Sequence, residues 1–317
     1  MNLAISRIDA LTLNETHTWL IEELWLERAC GLLGGQPKCC KTWLGLEMML
    51  SVASGRPCLG RFPVPQPGPV LLYLAEDHPS QTFKRLSGLA VQKGIKLQDL
   101  PIFIILEPTL QLDNSADRQR LSDAIQNHKP RAVLLDPLVR LHALDENSSR
   151  DMAGLLGYFR HLERAHETAV ILTHHMTKRS SKRPGQGLRG SGDFHAFGDS
   201  NLYLSRNKDT VNCTIEHRHA RSLPDFTFRL KEGETPGLEL LDAERPADNA
   251  LGDLTKRILQ SLTQAPAGLT RSELRTQLAV NNQKLGIALR QLITTERLKC
   301  SQGLYLQTGP TLQSGQG

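Results

Sequence analysis

The stretch GGQPKCCKTW, residues 34–43, decides how this chain is read. It follows an apolar run, ACGLL at 29–33, and leads into a helix-like segment at 41–54. Gly35, four residues, then Cys40-Lys41-Thr42 is the spacing of a phosphate-binding loop, except that Cys40 stands where a glycine belongs. A strand, a loop and a helix N-terminus in that order turn backbone N–H groups toward an anion. Gly35, Pro37, Lys38, Cys39, Cys40, Lys41 and Thr42 are therefore the candidate nucleotide-binding residues. Lys41 would neutralise the β- and γ-phosphates of ATP, and the Thr42 hydroxyl would hold Mg²⁺. Glycine at position 40 would let the backbone approach the phosphates without a Cβ; cysteine is among the smaller replacements, so binding is expected to survive with some loss. The competing reading is an ordinary Lys-Thr helix start after a Gly-Pro turn.

Outward from the loop, short apolar runs alternate with amphipathic stretches. The runs lie at 29–33, 70–75, 102–106, 132–135 and 169–172, with helix-like segments at 41–54, 79–93, 116–128 and 149–167. That alternation implies an α/β core with a mainly parallel sheet covered on both faces. After residue 200 the runs NLYLSRN, TVNCTIEHR, FTFRLKEG and LELLD are β-like and separated by turns, as in an antiparallel extension.

Ligands bind at the carboxyl ends of parallel strands, and that is where acids occur. RAVLLDP ends a strand in Asp136, placed to share Mg²⁺ with Thr42. LLYLAED ends another with Glu76 and Asp77, and Glu76 is the candidate base for an attacking water. AVILTHHM puts His174 and His175 at the end of a third, where a polar side chain can sense the γ-phosphate. Two adjacent histidines without further ligands read as a polar relay rather than as zinc ligands.

GQPKCCKTWLGLEMMLSVASG, YLAEDHPSQTFKRL, AVLLDPLVRLHALDENSSRDM, LTHHMTK and LRGSGDFHAFGDSNLYL together resemble the RecA-like ATPases of the plasmid RepA type, relatives of hexameric replicative helicases. The resemblance covers roughly 18–242. It implies a RecA fold, ATP and Mg²⁺, and self-association into a ring or filament with nucleotide at the subunit interfaces. It also implies Lys41 and Thr42 as the Walker A pair, Asp136 as the Walker B aspartate, Glu76 as catalytic base, and His175 as the family's histidine after the fifth strand. Such rings bring a cation from the neighbouring subunit to the γ-phosphate; Arg218 in TIEHRHAR is the first candidate, Arg206 and Arg189 weaker ones. KRSSKRPGQGLRGSG, 178–192, carries Lys178, Arg179, Lys182, Arg183 and Arg189 without an acid. It is the candidate contact for single-stranded DNA, through the phosphate backbone.

AERPADNALGD, 243–253, reads as a linker. Residues 254–308 then give three helical patterns and a hairpin, the plan of a winged helix-turn-helix, with a capping box at Thr270 and Glu273. Lys284 and Arg290 are its candidate DNA contacts, and a protein partner is the alternative. Residues 1–17 form an N-terminal segment, and 309–317 are expected to be a disordered tail.

Bulk properties agree with a globular protein: 39% apolar and 22% charged residues. No apolar run is long enough for a bilayer, and the first residues lack a signal-peptide core, so a cytoplasmic protein without a membrane partner is expected. The cysteines, at 30, 39, 40, 58, 213 and 300, form no CxxC pair. A net charge of +5 permits nucleic acid without singling it out. The sequence thus supports an oligomeric DNA-associated ATPase, with a nucleotide-gated scaffold or a DNA-binding regulator as alternatives. A thiolate at the Cys39–Cys40 helix start would have a lowered pKa and be reactive, but most cysteines placed this way are simply tolerated small residues.

Overall fold

A computed structural model gives the fold; it describes residues 7, 18–176, 193–241, 246–265, 268–278, 280, 285, 286, 288, 289, 292, 293, 297–301 and 303–307. The chain divides into two compact units, Met1–Asp242 and Ala243–Gly317.

The apolar runs of the first unit become strands β3 (Cys30–Gly35), β4 (Val70–Leu74), β5 (Ile102–Ile104), β6 (Ala132–Asp136) and β7 (Ala169–His175). The late runs become β8 (Ser200–Asn207), β9 (Thr210–His217), β10 (Phe226–Lys231) and β11 (Gly237–Leu240). All nine join one sheet in the order β11-β10-β9-β8-β3-β7-β6-β4-β5. Pairing from β8 through β3 to β5 is parallel, and from β8 outward to β11 antiparallel. Helices α1 (Lys41–Ser54), α2 (Pro79–Lys93), α3 (Ser115–His128) and α4 (Ser149–His166) fill the crossovers.

Side chains alternate across a strand with period two, and the two cores show it. Val70, Leu72, Ala132, Leu134, Ala169 and Ile171 pack on one face with α1 and α2. Leu71, Tyr73, Val133, Leu135, Val170 and Leu172 pack on the other with α3 and α4. Burial on both faces explains why these strands read as continuous apolar runs rather than as alternating ones. Helix α1 is buried almost all round, which is why it shows little amphipathic pattern. Gly31 lets β8 lie close against β3: a Cβ there would fall 1.7 Å from the Ser200 carbonyl oxygen.

Two features leave no readable trace in the sequence. Trp19–Ile21 and Trp25–Leu26 form a small antiparallel pair, β1 and β2, that buries Leu20, Ile21, Leu24 and Trp25 in the first core. A five-residue helix, α5 (Asp193–Phe197), precedes β8 and buries Phe194 in the second. Strands of two or three residues and a single helical turn are too short for periodicity to register.

In the second unit, α6 (Pro246–Gln264) starts inside the stretch expected to be a linker. Pro246 suits a first helical turn, where its missing N–H costs nothing. Next come β12 (Leu269–Thr270), α7 (Arg271–Leu278), β13 (Leu298–Ser301) and β14 (Leu304–Gln307), the strands in the order β12-β14-β13. The expected hairpin is β13–β14; β12 is an addition. The Thr270–Glu273 capping box forms: Thr270 N–H donates to Glu273 Oε2 at 2.7 Å, and Glu273 N–H to Thr270 Oγ1 at 3.3 Å. Helical Leu285, Ala288, Leu289 and Leu292 join Leu254, Ile258, Leu274 and Leu298 in a core of this unit's own. Among the described residues, no helix is long and apolar enough to cross a membrane.

Candidate nucleotide site

Parallel strands end together. Gly35 lies opposite His175 in the β3–β7 register, and Leu74 lies opposite Asp136 in the β4–β6 register. One sheet edge therefore collects the loop after β3, Glu76 just past β4, Asp136 at the end of β6 and His175 at the end of β7. This is the edge where open α/β sheets bind ligands.

The loop has the left-handed turns of a phosphate cradle, made without glycine at the turning positions. Lys38 has φ 62° and Cys40 φ 67°. Cys40 is the residue preceding α1 and supplies no side-chain cap, and the first turn of α1 carries no acid. By contrast α2, α3 and α4 are capped by His78, Asn114 and Ser148. No side chain at its start caps α1, which leaves that end open to an external acceptor. Pro37, included in the expected cradle, has no N–H and can only shape the turn. Gly35 is required by closeness: a Cβ there would lie 2.4 Å from Cys39 Sγ and 2.9 Å from the Leu204 carbonyl oxygen.

Lys41 is buried, with 7% of its surface exposed. Its Nζ contacts the carbonyl oxygens of Gly35 and Gln36, each at 3.0 Å, and His175 Nδ1 at 3.4 Å. None of the three is an anion. A buried ammonium whose hydrogen-bond contacts among the described residues are neutral, at a helix start without a side-chain cap, is set to receive negative charge.

Asp136 is buried beside it. Its Oδ1 accepts a hydrogen bond from the Thr173 hydroxyl on β7, a partner that no sequence pattern singles out. Its Oδ2 is buried without a partner at hydrogen-bond geometry among the described residues. Burial pushes the Asp136 carboxyl above the usual range; the Thr173 and Thr42 hydroxyls and the Lys41 charge oppose this, and Asp77 adds to it. A buried carboxylate oxygen lacking a donor, with the Thr42 hydroxyl nearby, fits a hard cation that retains most of its waters.

The raised pKa carries a stability consequence. The folded state holds the Asp136 proton more tightly than the unfolded chain does. The group's stabilising contribution is present at acid pH and lost as pH rises through the raised value. Asp136→Asn removes that loss. It should leave the metal-free protein more stable than the parent at pH 8, with the difference shrinking toward acid pH. Thermal melts across pH, without nucleotide, check this; a variant less stable than the parent at pH 8 would refute it.

Glu76 is half-exposed, and its Oε1 accepts from Arg140 Nε at 2.9 Å. Arg140 ends the short turn Leu138–Arg140 that follows β6. Asp77 pairs with Arg85, whose guanidinium also lies 5.7 Å from the Trp43 ring centroid. Arg85 and Arg140 are not among the sequence candidates; a lone arginine on a helix or in a turn carries no signal until pairing places it. The two histidines separate by strand alternation. His175 faces Lys41, whereas His174 is buried, stacked on Phe194 at 4.5 Å and 3.8 Å from Glu146 Oε1.

The cysteines do not behave as a helix-start thiolate would. Burial raises the thiol pKa of Cys39 against the opposing charge of Lys41. Burial also raises that of Cys40, against Arg206, Arg85 and Lys41. At both positions desolvation outweighs the nearby cations, as suits tolerated small residues rather than a reactive thiolate.

Arg218 is not brought to this edge. Its N–H donates to the Asp199 carbonyl at 2.9 Å and its Nη1 lies 3.7 Å from Asp199 Oδ1, level with Cys30 at the start of β3. The length of β3, roughly 17 Å, separates it from its own loop. Arg206, at the end of β8, is at the right edge: its Nη1 donates to the Lys38 carbonyl at 3.0 Å. Lys178, Arg179, Lys182, Arg183, Arg189, Lys284 and Arg290 lie outside the described residues.

The family description "AAA domain" matches residues 4–181, more than half of the chain. Among solved structures, an isolated ATPase domain matches over 69% of this chain and 86% of its own, at 18% identity and a TM-score of 0.53. A DnaB-like replicative helicase, solved with its interactions with primase, matches over 67% of this chain and 57% of its own, at 17% identity and a TM-score of 0.53. This chain thus spans little more than half of that helicase's length. At these identities the likeness is one of fold: a largely parallel sheet with antiparallel strands added, as in RecA-like helicase ATPase domains.

Proposed function

The chain belongs to the AAA-domain family, and from that premise we propose that it hydrolyses ATP as an oligomer acting on DNA, in the manner of RepA-type motors or loaders. The observation that carries this reading is Lys41, a buried cation whose hydrogen-bond contacts among the described residues are neutral and which lies at a helix start without a side-chain cap.

Lys41 exchanges carbonyl contacts for β- and γ-phosphate oxygens. The amides of the loop and the first turn of α1 take the rest of the phosphate charge. Thr42 and Asp136 would hold Mg²⁺, which when bound neutralises phosphate charge. Glu76 accepts the proton of the attacking water, and His175, in contact with Lys41, senses the γ-phosphate. Arg218, on the opposite sheet edge and only loosely paired, serves a neighbouring subunit's site in a ring or filament. The single-stranded DNA contact is the basic 178–192 stretch. The second unit's capping box, three-stranded sheet and helical core support a winged helix that takes DNA, through Lys284 and Arg290, or a protein partner.

The test is steady-state ATP turnover with Mg²⁺, with and without single-stranded DNA. Turnover stimulated by DNA supports the motor. Tight ATP binding without turnover at any DNA concentration leaves a nucleotide-gated scaffold, the reading that Cys40 slightly favours. Replacing Lys178, Arg179, Lys182, Arg183 and Arg189 by serine should abolish the stimulation while ATP affinity stays within about twofold. It should also reduce the salt dependence of DNA binding by about 3 in logarithmic slope. An unchanged slope would place DNA elsewhere on the protein.

A further inference from the structure

The nucleotide loop adopts left-handed backbone at two residues that have side chains, Lys38 at φ 62° and Cys40 at φ 67°. For an L-residue this conformation carries a steric cost that glycine avoids. Something outside the loop must hold it. Lys41 does so at one end, through the carbonyls of Gly35 and Gln36. Once phosphates are bound, Lys41 turns to them and that tie is lost. At the other end, the Arg206 guanidinium donates through Nη1 to the Lys38 carbonyl at 3.0 Å and through Nε to the Lys208 carbonyl at 2.9 Å. The two contacts pin the loop to the turn between β8 and β9. Strand β8 brings Arg206 there because it runs parallel to β3, with Leu204 opposite Gly35.

We propose that Arg206 is a positioning residue, acting within its own subunit, that clamps a nucleotide loop lacking glycine at positions 38 and 40 into its phosphate-binding shape. It substitutes a tertiary hydrogen bond for the conformational freedom that glycines at 38 and 40 would supply. This rests on the nucleotide-site reading above for its consequence, but not for the clamp itself. It also gives Arg206 work in its own subunit, in place of the trans role considered for it from the sequence.

The experiment is a pair of comparisons: Arg206→Ala in the natural loop, and Arg206→Ala in a Lys38→Gly/Cys40→Gly loop, each against its own Arg206 parent. ATP and ADP affinities are read by calorimetric titration with Mg²⁺. In the natural loop, both nucleotides should bind about tenfold more weakly without Arg206. In the glycine loop, the loss should fall below about threefold, because that loop reaches the same shape without strain. Arg206→Lys, which keeps one donor, should recover part of the affinity in the natural loop. Equal losses in both loops would show that Arg206 touches nucleotide directly, and no loss in either would show that the clamp is idle; each overturns the proposal.

Thermal melts of the same variants without nucleotide give a readout that does not need the site to bind ATP. Loss of Arg206 should lower the melting temperature by about 2–4 °C in the natural loop and clearly less in the glycine loop. If the parent binds no ATP, the function proposed above fails; the clamp then stands or falls on whether these two melting shifts differ.

Discussion

Lys41→Ala should reduce kcat/KM for ATP by about 10³-fold or more, the size expected when a preorganised charge at developing phosphate charge is removed. The argument starts from burial. A lysine with 7% of its surface exposed carries a desolvation cost that ordinary folding would offset with a carboxylate. Here the ammonium has two carbonyls and an imidazole instead. A direct anionic contact is what phosphate supplies, so the contact is worth most when ATP is bound and most of all in the transition state. The same logic predicts that the nucleotide-free protein loses little. Lys41→Met, which keeps the stem's volume, should melt within about 3 °C of the parent, because a poorly compensated buried charge leaves with its hydrogen bonds. ATPase rates and melts on the two variants check this together. A Lys41→Ala protein that hydrolyses ATP within tenfold of the parent would remove this loop from the chemistry. One that fails to fold, with Lys41→Met failing likewise, would make Lys41 a structural residue.

What can be read from the sequence divides along a physical line. The strand–loop–helix at 29–54 and the acids at strand ends are legible because parallel strands buried on both faces print continuous apolar runs, and the residue after each run must lie at the ligand edge. Asp136 and His175 fall where that rule places them. Side-chain partners are not legible. Thr173 on Asp136, Arg140 on Glu76 and Arg206 on Lys38 are contacts between residues far apart in sequence, fixed only when strand order and register are fixed. Arg218 shows that ending a strand does not by itself fix the edge. It ends a strand, as the site residues do, but β9 runs antiparallel, so its end lies at the opposite edge, by Asp199. Cys40 reads as a missing glycine and occupies the left-handed position a glycine would take. That its thiol pKa moves upward depends on packing, which the sequence does not display.

Glu76→Gln should lower kcat by about 10²–10⁴-fold while leaving the affinity for Mg²⁺-ATP within about threefold. The split follows from where Glu76 sits. It lies two residues beyond β4, whose Leu74 is in register with Asp136, so it shares the sheet edge with the loop while remaining half-exposed. A half-exposed carboxylate adds little to binding, and its ion pair with Arg140 at 2.9 Å is of a kind worth at most about 1 kcal/mol. Glutamine keeps the shape and still accepts from Arg140 Nε, but it cannot take a proton from water. The rival account is that Glu76 exists only to hold Arg140 in place. The two accounts separate at Arg140→Ala. If Glu76 is the base, Arg140→Ala retains most of the turnover that Glu76→Gln abolishes. If the pair is the functional unit, both substitutions cost the same and their combination costs no more than either alone. Single-turnover kinetics read these rates apart from product release. A Glu76→Gln protein with near-parental turnover would assign water activation to another group at this edge.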